Sequence, residues 1–210
     1  MLTDYLDDLR DRVVLGETPA LMQPLFGKSL PPPESGKHRF VCGQDGLYIE
    51  AQNEVIGVRV MVAESSIKLP YGSVHQTGIH LKQGRMPKWI LDDMVVKAKQ
   101  HSPKEWTGLI VWDRHQARYS LYEPTVIAAG VGHISYQNAL PDEFVLVMDV
   151  HSHGILSAFF SETDNQSDRA GFYIAGVIGS CLLEAPTMAS RLVINGQLLP
   201  CPDLRGFFGD

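Results

Sequence analysis

The chain has 210 residues, 44% of them apolar and 20% charged, with a formal net charge of -6 and a pI near 5.7. That length suits one generous domain, or a modest one with an appendage, and the acidic balance excludes the basic footprint that nucleic acid selects. Apolar runs stay far below the ~20 residues needed to span a bilayer, and Asp4, Asp7 and Asp8 stand where an export signal would be basic, so a cytoplasmic protein without membrane partners is expected.

In chain order, Leu2, Leu6, Leu9 and Val13 share one helical face, with Asp4, Asp7, Asp8 and Asp11 mostly elsewhere, which predicts a short amphipathic helix docked on its own domain. Pro31-Pro32-Pro33 is neither helix nor central strand and reads as a stiff surface connector. From Arg39 the pattern turns to strands: 39–42 and 47–50 flank a hairpin loop at Gly43-Gln44-Asp45-Gly46, 55–62 reads as an interior strand, and 67–69 and 79–81 as shorter ones. His38, His75 and His80 are scattered and read as solvated surface. Residues 1–85 thus form a β-rich region with no chemistry of its own to name.

At Pro87 the character changes. Trp89, Ile90, Met94, Val95 and Ala98 recur at helical spacing, with Lys97, Lys99 and His101 near the C-terminal end and Pro103 as the stop. Strands are expected at 109–112, 119–127, 132–136, 144–148 and 172–178, and a hairpin around Asn195-Gly196, between 192–194 and 197–199. The tail Phe207-Phe208 is expected to pack on the body. Cys42, Cys181 and Cys201, an odd count without metal-site spacing, read as reduced thiols.

The chemistry gathers at Asp149-Val150-His151-Ser152-His153, which ends an apolar run. Alternate strand residues face the same side, so His151 and His153 can present two imidazoles to one point. Beyond them Ser161-Glu162-Thr163-Asp164 has the composition of a helix start, and Asp164 can supply a carboxylate oxygen. Two nitrogens and one oxygen make a three-ligand zinc set with a position left for water, the catalytic kind of site. Taken alone, His-Ser-His is equally compatible with two core histidines. The following Gly154 and Ile155 do not fit metallo-β-lactamase-like hydrolases, and the late position in a short chain does not fit a (β/α)₈ amidohydrolase. Asp168 reads as a first-turn acid favoured by the helix dipole, and Asp149 as either an orienter of a histidine or a solvated loop end.

The full pattern, His-x-His, seven residues, Ser-x-x-Asp, resembles the JAMM motif of the JAB/MPN metalloprotease family, and Glu105-Trp106-Thr107-Gly108 before an apolar strand resembles that family's upstream Glu-x-x-Gly. The resemblance covers about 87–199. It implies an α/β fold, a JAB/MPN-like (cytidine-deaminase-like) mixed β-sheet flanked by helices, in residues 86–210. It further implies zinc held by His151, His153 and Asp164, Glu105 as the acid/base acting on water, and Ser161 as donor to the oxyanion. The implied reaction is zinc-dependent hydrolysis of a peptide or isopeptide bond; a noncatalytic scaffold of the same family and a zinc hydrolase of a non-protein amide are the alternatives. The Asp-Val-His-Ser-His-Gly start, Ala158-Phe159-Phe160-Ser161 and the β-rich leader most resemble a bacterial branch, that of the PRTRC systems. Neighbouring ParB-like and ThiF-like (E1-like) proteins imply ubiquitin-like conjugation chemistry there, hence a ubiquitin-like protein substrate. Two departures stand out. Gly154 replaces the proline of many relatives, which is expected to loosen the loop. Only seven residues separate Asp164 from Phe172, so the long insert of eukaryotic deubiquitinases is absent.

Overall fold

The structure, a computed structural model, describes residues 7–137 and 139–209 and divides into two compact units, Met1–Lys82 and Gln83–Asp210. In the first, α1 (Leu9–Glu17) starts at Asp8, whose side chain accepts from the Arg10 amide at 2.8 Å. Leu9 is 72% and Val13 57% exposed, so the described helix does not dock as expected; two apolar residues one turn apart, among Arg10, Asp11 and Arg12, bury no face. Leu2 and Leu6 of the expected stripe lie outside the described residues.

Five strands follow: β1 (Ala20–Met22), β2 (His38–Cys42), β3 (Gly46–Gln52), β4 (Ile56–Glu64) and β5 (Gly78–Leu81), paired in that order. Only the β1–β2 pair is parallel. Alternation gives the sheet an apolar face carrying Ile49, Ala51, Val58 and Ile79, while Arg39, Glu50 and Arg59 fall opposite one another on the other face. No strand forms at 67–69: Ile67 is 68% exposed and Pro70, lacking an N–H, ends any ladder there.

The second unit opens with β6 (Met86–Pro87) and α2 (Lys88–His101). The helix buries Ile90, Leu91, Met94 and Ala98, whereas Trp89, expected on that face, is 57% exposed. Leu91, which shares a face with Met94 and Ala98 at helical spacing, takes its place. Then come β7 (Thr107–Asp113), β8 (Arg118–Tyr122), β9 (Val126–Ala129) and β10 (Ile134–Tyr136). Pro124 splits the single strand expected at 119–127 into β8 and β9. They are followed by β11 (Phe144–Ser152), α3 (Glu162–Ser167), β12 (Phe172–Gly179), β13 (Thr187–Ile194), β14 (Gln197–Pro200) and β15 (Phe208–Gly209).

The main sheet has the order β14-β13-β12-β11-β7-β8, with only β11 and β12 parallel. It is the mixed α/β architecture that the sequence implied, beside a β-rich N-terminal unit. Leu109, Ile110, Met148, Val150, Ile174, Ile178, Leu192 and Ile194 are completely buried, each contributing about 1.5–3 kcal/mol by leaving water. Asn195 (φ 45°) and Gly196 (φ 88°) make the expected β13–β14 turn with two left-handed residues. Phe207 and Phe208 are buried, and β15 pairs with β6. Two parallel neighbours cannot be joined by a tight turn, so residues 153–171 cross over between β11 and β12, and α3 lies on that crossover. No helix among the described residues is long and apolar enough to cross a membrane.

Candidate metal centre

Register decides what meets at the end of β11. The antiparallel ladder pairs His151 with Thr107, and the next step continues it: the Ser152 amide donates to the Trp106 carbonyl at 2.7 Å, and the Trp106 amide donates to Ser152 Oγ at 2.9 Å. Ser152 is wholly buried. The residue between the two histidines therefore clips the segment carrying Glu105 to the strand carrying the imidazoles. On the other side the His153 amide donates to the Ile178 carbonyl at 2.9 Å, tying the strand end to β12. Gly108, already in β7, packs under the Trp106 ring, which would lie 2.6 Å from a Cβ there.

His151 Nε2 and His153 Nε2 stand 3.1 Å apart, and His151 Nε2 lies 3.3 Å from Asp164 Oδ1. One ligand atom from each of the three residues falls within 4.8 Å of the others. Tetrahedral zinc with Zn–N of about 2.0–2.1 Å would hold its ligands about 3.3 Å apart. Burial pushes the His151 imidazole down to about 4 and also lowers His153, so both rings are neutral at pH 7, as metal ligands must be. Two neutral imidazoles and a carboxylate aimed at one point fit a divalent cation. His153 is further held edge-on to the Phe159 ring, at 4.6 Å between centroids.

Asp164 is aimed by its own helix end. Ser161 caps α3: its Oγ accepts from the Asp164 amide at 3.2 Å, while Asp164 Oδ2 accepts from the Ser161 amide at 2.6 Å and from its hydroxyl at 2.7 Å. This reciprocal capping occupies Oδ2 and leaves Oδ1 for the histidine side. Six residues are too few for a helix stable by itself, and the far end of α3 is clamped instead. Asp168 accepts from Arg191 Nε at 3.0 Å, Arg191 Nη2 at 2.6 Å and Tyr173 Oη at 2.7 Å. Arg191 also donates to Asn165 and lies 4.0 Å over the Phe160 ring. Arg191, on β13, thus grips the crossover on both sides of Asp164. Asp168 is therefore no mere first-turn acid: it is a buried C-cap paired with a buried arginine.

Glu105, His151, His153, Ser161 and Asp164 line one cavity of ≈ 210 Å³. Glu105 is 5% exposed, and burial first, then the charge of Asp164, raises its carboxyl from 4.5 to about 7. A carboxyl poised there can take a proton and return it near neutral pH. Asp149 lines the same cavity but receives the Tyr136 hydroxyl on both oxygens at 2.7 Å, and burial raises it to about 7. Gly154 has φ +55°, and a Cβ would sit 2.5 Å from the Pro103 carbonyl oxygen. The glycine is thus a requirement of a close approach behind the histidines, not a loosening of the loop. Ser152, Tyr136, Tyr173 and Arg191 were not singled out from sequence; the one visible signal was an arginine inside the apolar pattern of β13.

Residues 87–194, just over half of the chain, match a family described as prokaryotic homologs of the JAB domain, and residues 8–82 match a domain of unknown function, DUF2016. The solution structure of a protein from Desulfitobacterium hafniense aligns over 55% of this chain and 87% of that one, at 18% identity and a TM-score of 0.41. No curated protein matches.

Proposed function

The chain belongs to the prokaryotic homologs of the JAB domain, and from that premise we propose that residues 83–210 hydrolyse a peptide or isopeptide bond with the help of zinc. His151, His153 and Asp164 hold the ion. Zinc held there supplies Lewis acidity toward the scissile carbonyl and lowers the pKa of water. Glu105, buried in the same cavity, takes the proton of the attacking water and delivers it to the leaving amine. The Ser161 hydroxyl turns from Asp164 Oδ2 to the developing oxyanion, a donor of the kind that contributes about 3–4 kcal/mol; the Ser161 amide keeps Asp164 aimed meanwhile. The observation that carries this reading is the convergence of a cation-ready triad and a buried carboxyl on a single cavity.

The substrate class follows from the family likeness: a protein or peptide amide, with the C-terminus of a ubiquitin-like protein as the acyl side, in a PRTRC-type setting with a ThiF-like (E1-like) partner. The test is intact-mass analysis of ubiquitin-like fusions incubated with the full chain. Cleavage that chelator stops and Glu105→Gln abolishes supports the reading. Zinc binding with no cleavage of any fusion points to the noncatalytic scaffold, and cleavage of small amides alone points to a non-protein substrate.

A further inference from the structure

The polar face of the N-terminal sheet carries a groove of ≈ 590 Å³, floored by Glu50, Gln52, Gly57 and Arg59 and walled by Pro32 and Pro33. That volume falls within the range of small-molecule sites. Three features of the groove are not explained by folding.

The first is charge. Arg39 Nη2 and Arg59 Nε lie 2.6 and 2.5 Å from the two oxygens of Glu50, whose side chain is 2% exposed, and Arg39 also donates to the Pro31 carbonyl. Burying such ions is costly, and apolar residues of similar volume often serve stability as well. Two guanidinium groups on one carboxylate leave a positive charge under the floor, and Arg59 keeps 29% of its side chain exposed. The second is Lys82, whose ammonium donates to Gln52 Oε1 and to the Asn53 carbonyl, each at 2.6 Å. Both acceptors are neutral, so the lysine is held in place with its charge retained. Glu50 is the only carboxylate among the described residues lining the groove, in a chain whose net charge is -6.

The third is Gly57 itself. Glycine weakens a strand interior and often marks a close approach of another molecule. Gly57 has no left-handed φ, and an added Cβ would meet nothing nearer than the Lys82 Cε at 3.4 Å. Neither backbone conformation nor packing requires a missing side chain there; an open floor does. We propose that this groove binds a small organic oxyanion, a carboxylate or phosphate, seated over Gly57 between Arg59 and Lys82 with its apolar part against Pro32 and Pro33. His80, which read as solvated surface in the sequence, lies across from Gly57 and lines the same groove.

Phenyl phosphate, benzoate and neutral benzamide share an apolar body and differ in the anion, which makes them suitable probes for ¹H–¹⁵N NMR of the full chain. Phenyl phosphate or benzoate should shift the amides of Gln52, Gly57, Arg59, His80 and Lys82 saturably, with the tighter of the two naming the anion, and benzamide should not. Lys82→Gln should weaken binding at least five-fold. Gly57→Val should abolish it while leaving the thermal midpoint unchanged or higher, because valine suits a strand better than glycine. Shifts that stay linear to tens of millimolar would overturn the proposal. So would equal shifts with benzamide, or binding that survives Gly57→Val.

Discussion

Replacing Glu105 by glutamine keeps the shape of the cavity and removes a carboxyl whose ionisation burial and Asp164 both oppose. The folded protein holds this proton up to about pH 7, against an ordinary 4.5. Between those values the folded state binds more protons than the unfolded chain, so stability falls as pH rises. The contribution is fully present below about 4.5 and gone above about 7. The interval corresponds to at most roughly 3 kcal/mol, an upper bound because the cavity admits water to one side of the carboxyl. Glutamine has no such slope. In zinc-free protein the variant should therefore match the parent near pH 4.5 and exceed it by up to about 3 kcal/mol at pH 8. Urea titrations followed by tryptophan fluorescence isolate the relevant unit, since all three tryptophans, Trp89, Trp106 and Trp112, lie in it. A stability difference that does not change with pH, or a parent more stable than the variant at pH 8, would refute the reasoning.

Purified protein should carry close to one zinc per chain by elemental analysis, and His153→Ala should lose it; metal retained by that variant rejects the ligand assignment. Arg191→Met keeps an apolar contact on Phe160 but leaves Asp168 buried without its cation, so denaturant titration should show a loss of about 3–5 kcal/mol, with weaker zinc binding because Asp164 rides on the same crossover. A loss under about 1 kcal/mol would mean that the clamp does not hold α3. Gly154→Ala combines a left-handed φ with a 2.5 Å approach to the Pro103 carbonyl oxygen and should lower stability by about 1–3 kcal/mol; an unchanged thermal midpoint would show that the close approach is absent in solution.

Short-range patterns carried far in this chain. The alternation of His151 and His153, the Ser161–Asp164 capping and the Asn195-Gly196 turn each depend on residues within a few positions of one another, and each is present in the fold. Expectations failed where a local pattern lacked a tertiary partner. Leu9 and Val13 have the spacing of a buried face without anything to bury it. Trp89 is apolar and correctly spaced, yet Leu91 takes the buried position, because helical periodicity gives a face without giving its centre. At 67–69 three residues of strand composition are overruled by Pro70.

What the order of residues determined by itself was the kind of element at each place and the chemistry available on it: two imidazoles on one side of a strand, a carboxylate at a helix start, a glutamate ahead of a glycine. Which of these side chains meet was decided by sheet register and by the parallel crossover, since strand pairing joins residues more than forty positions apart, as Trp106 and Ser152 are joined. Over shorter separations the fold likewise brings together Asp168 with Arg191, Tyr136 with Asp149, and Glu50 with Arg39 and Arg59. Buried polar groups must find partners wherever the fold presents them, and alternation along one strand contains no information about the strand that will lie beside it.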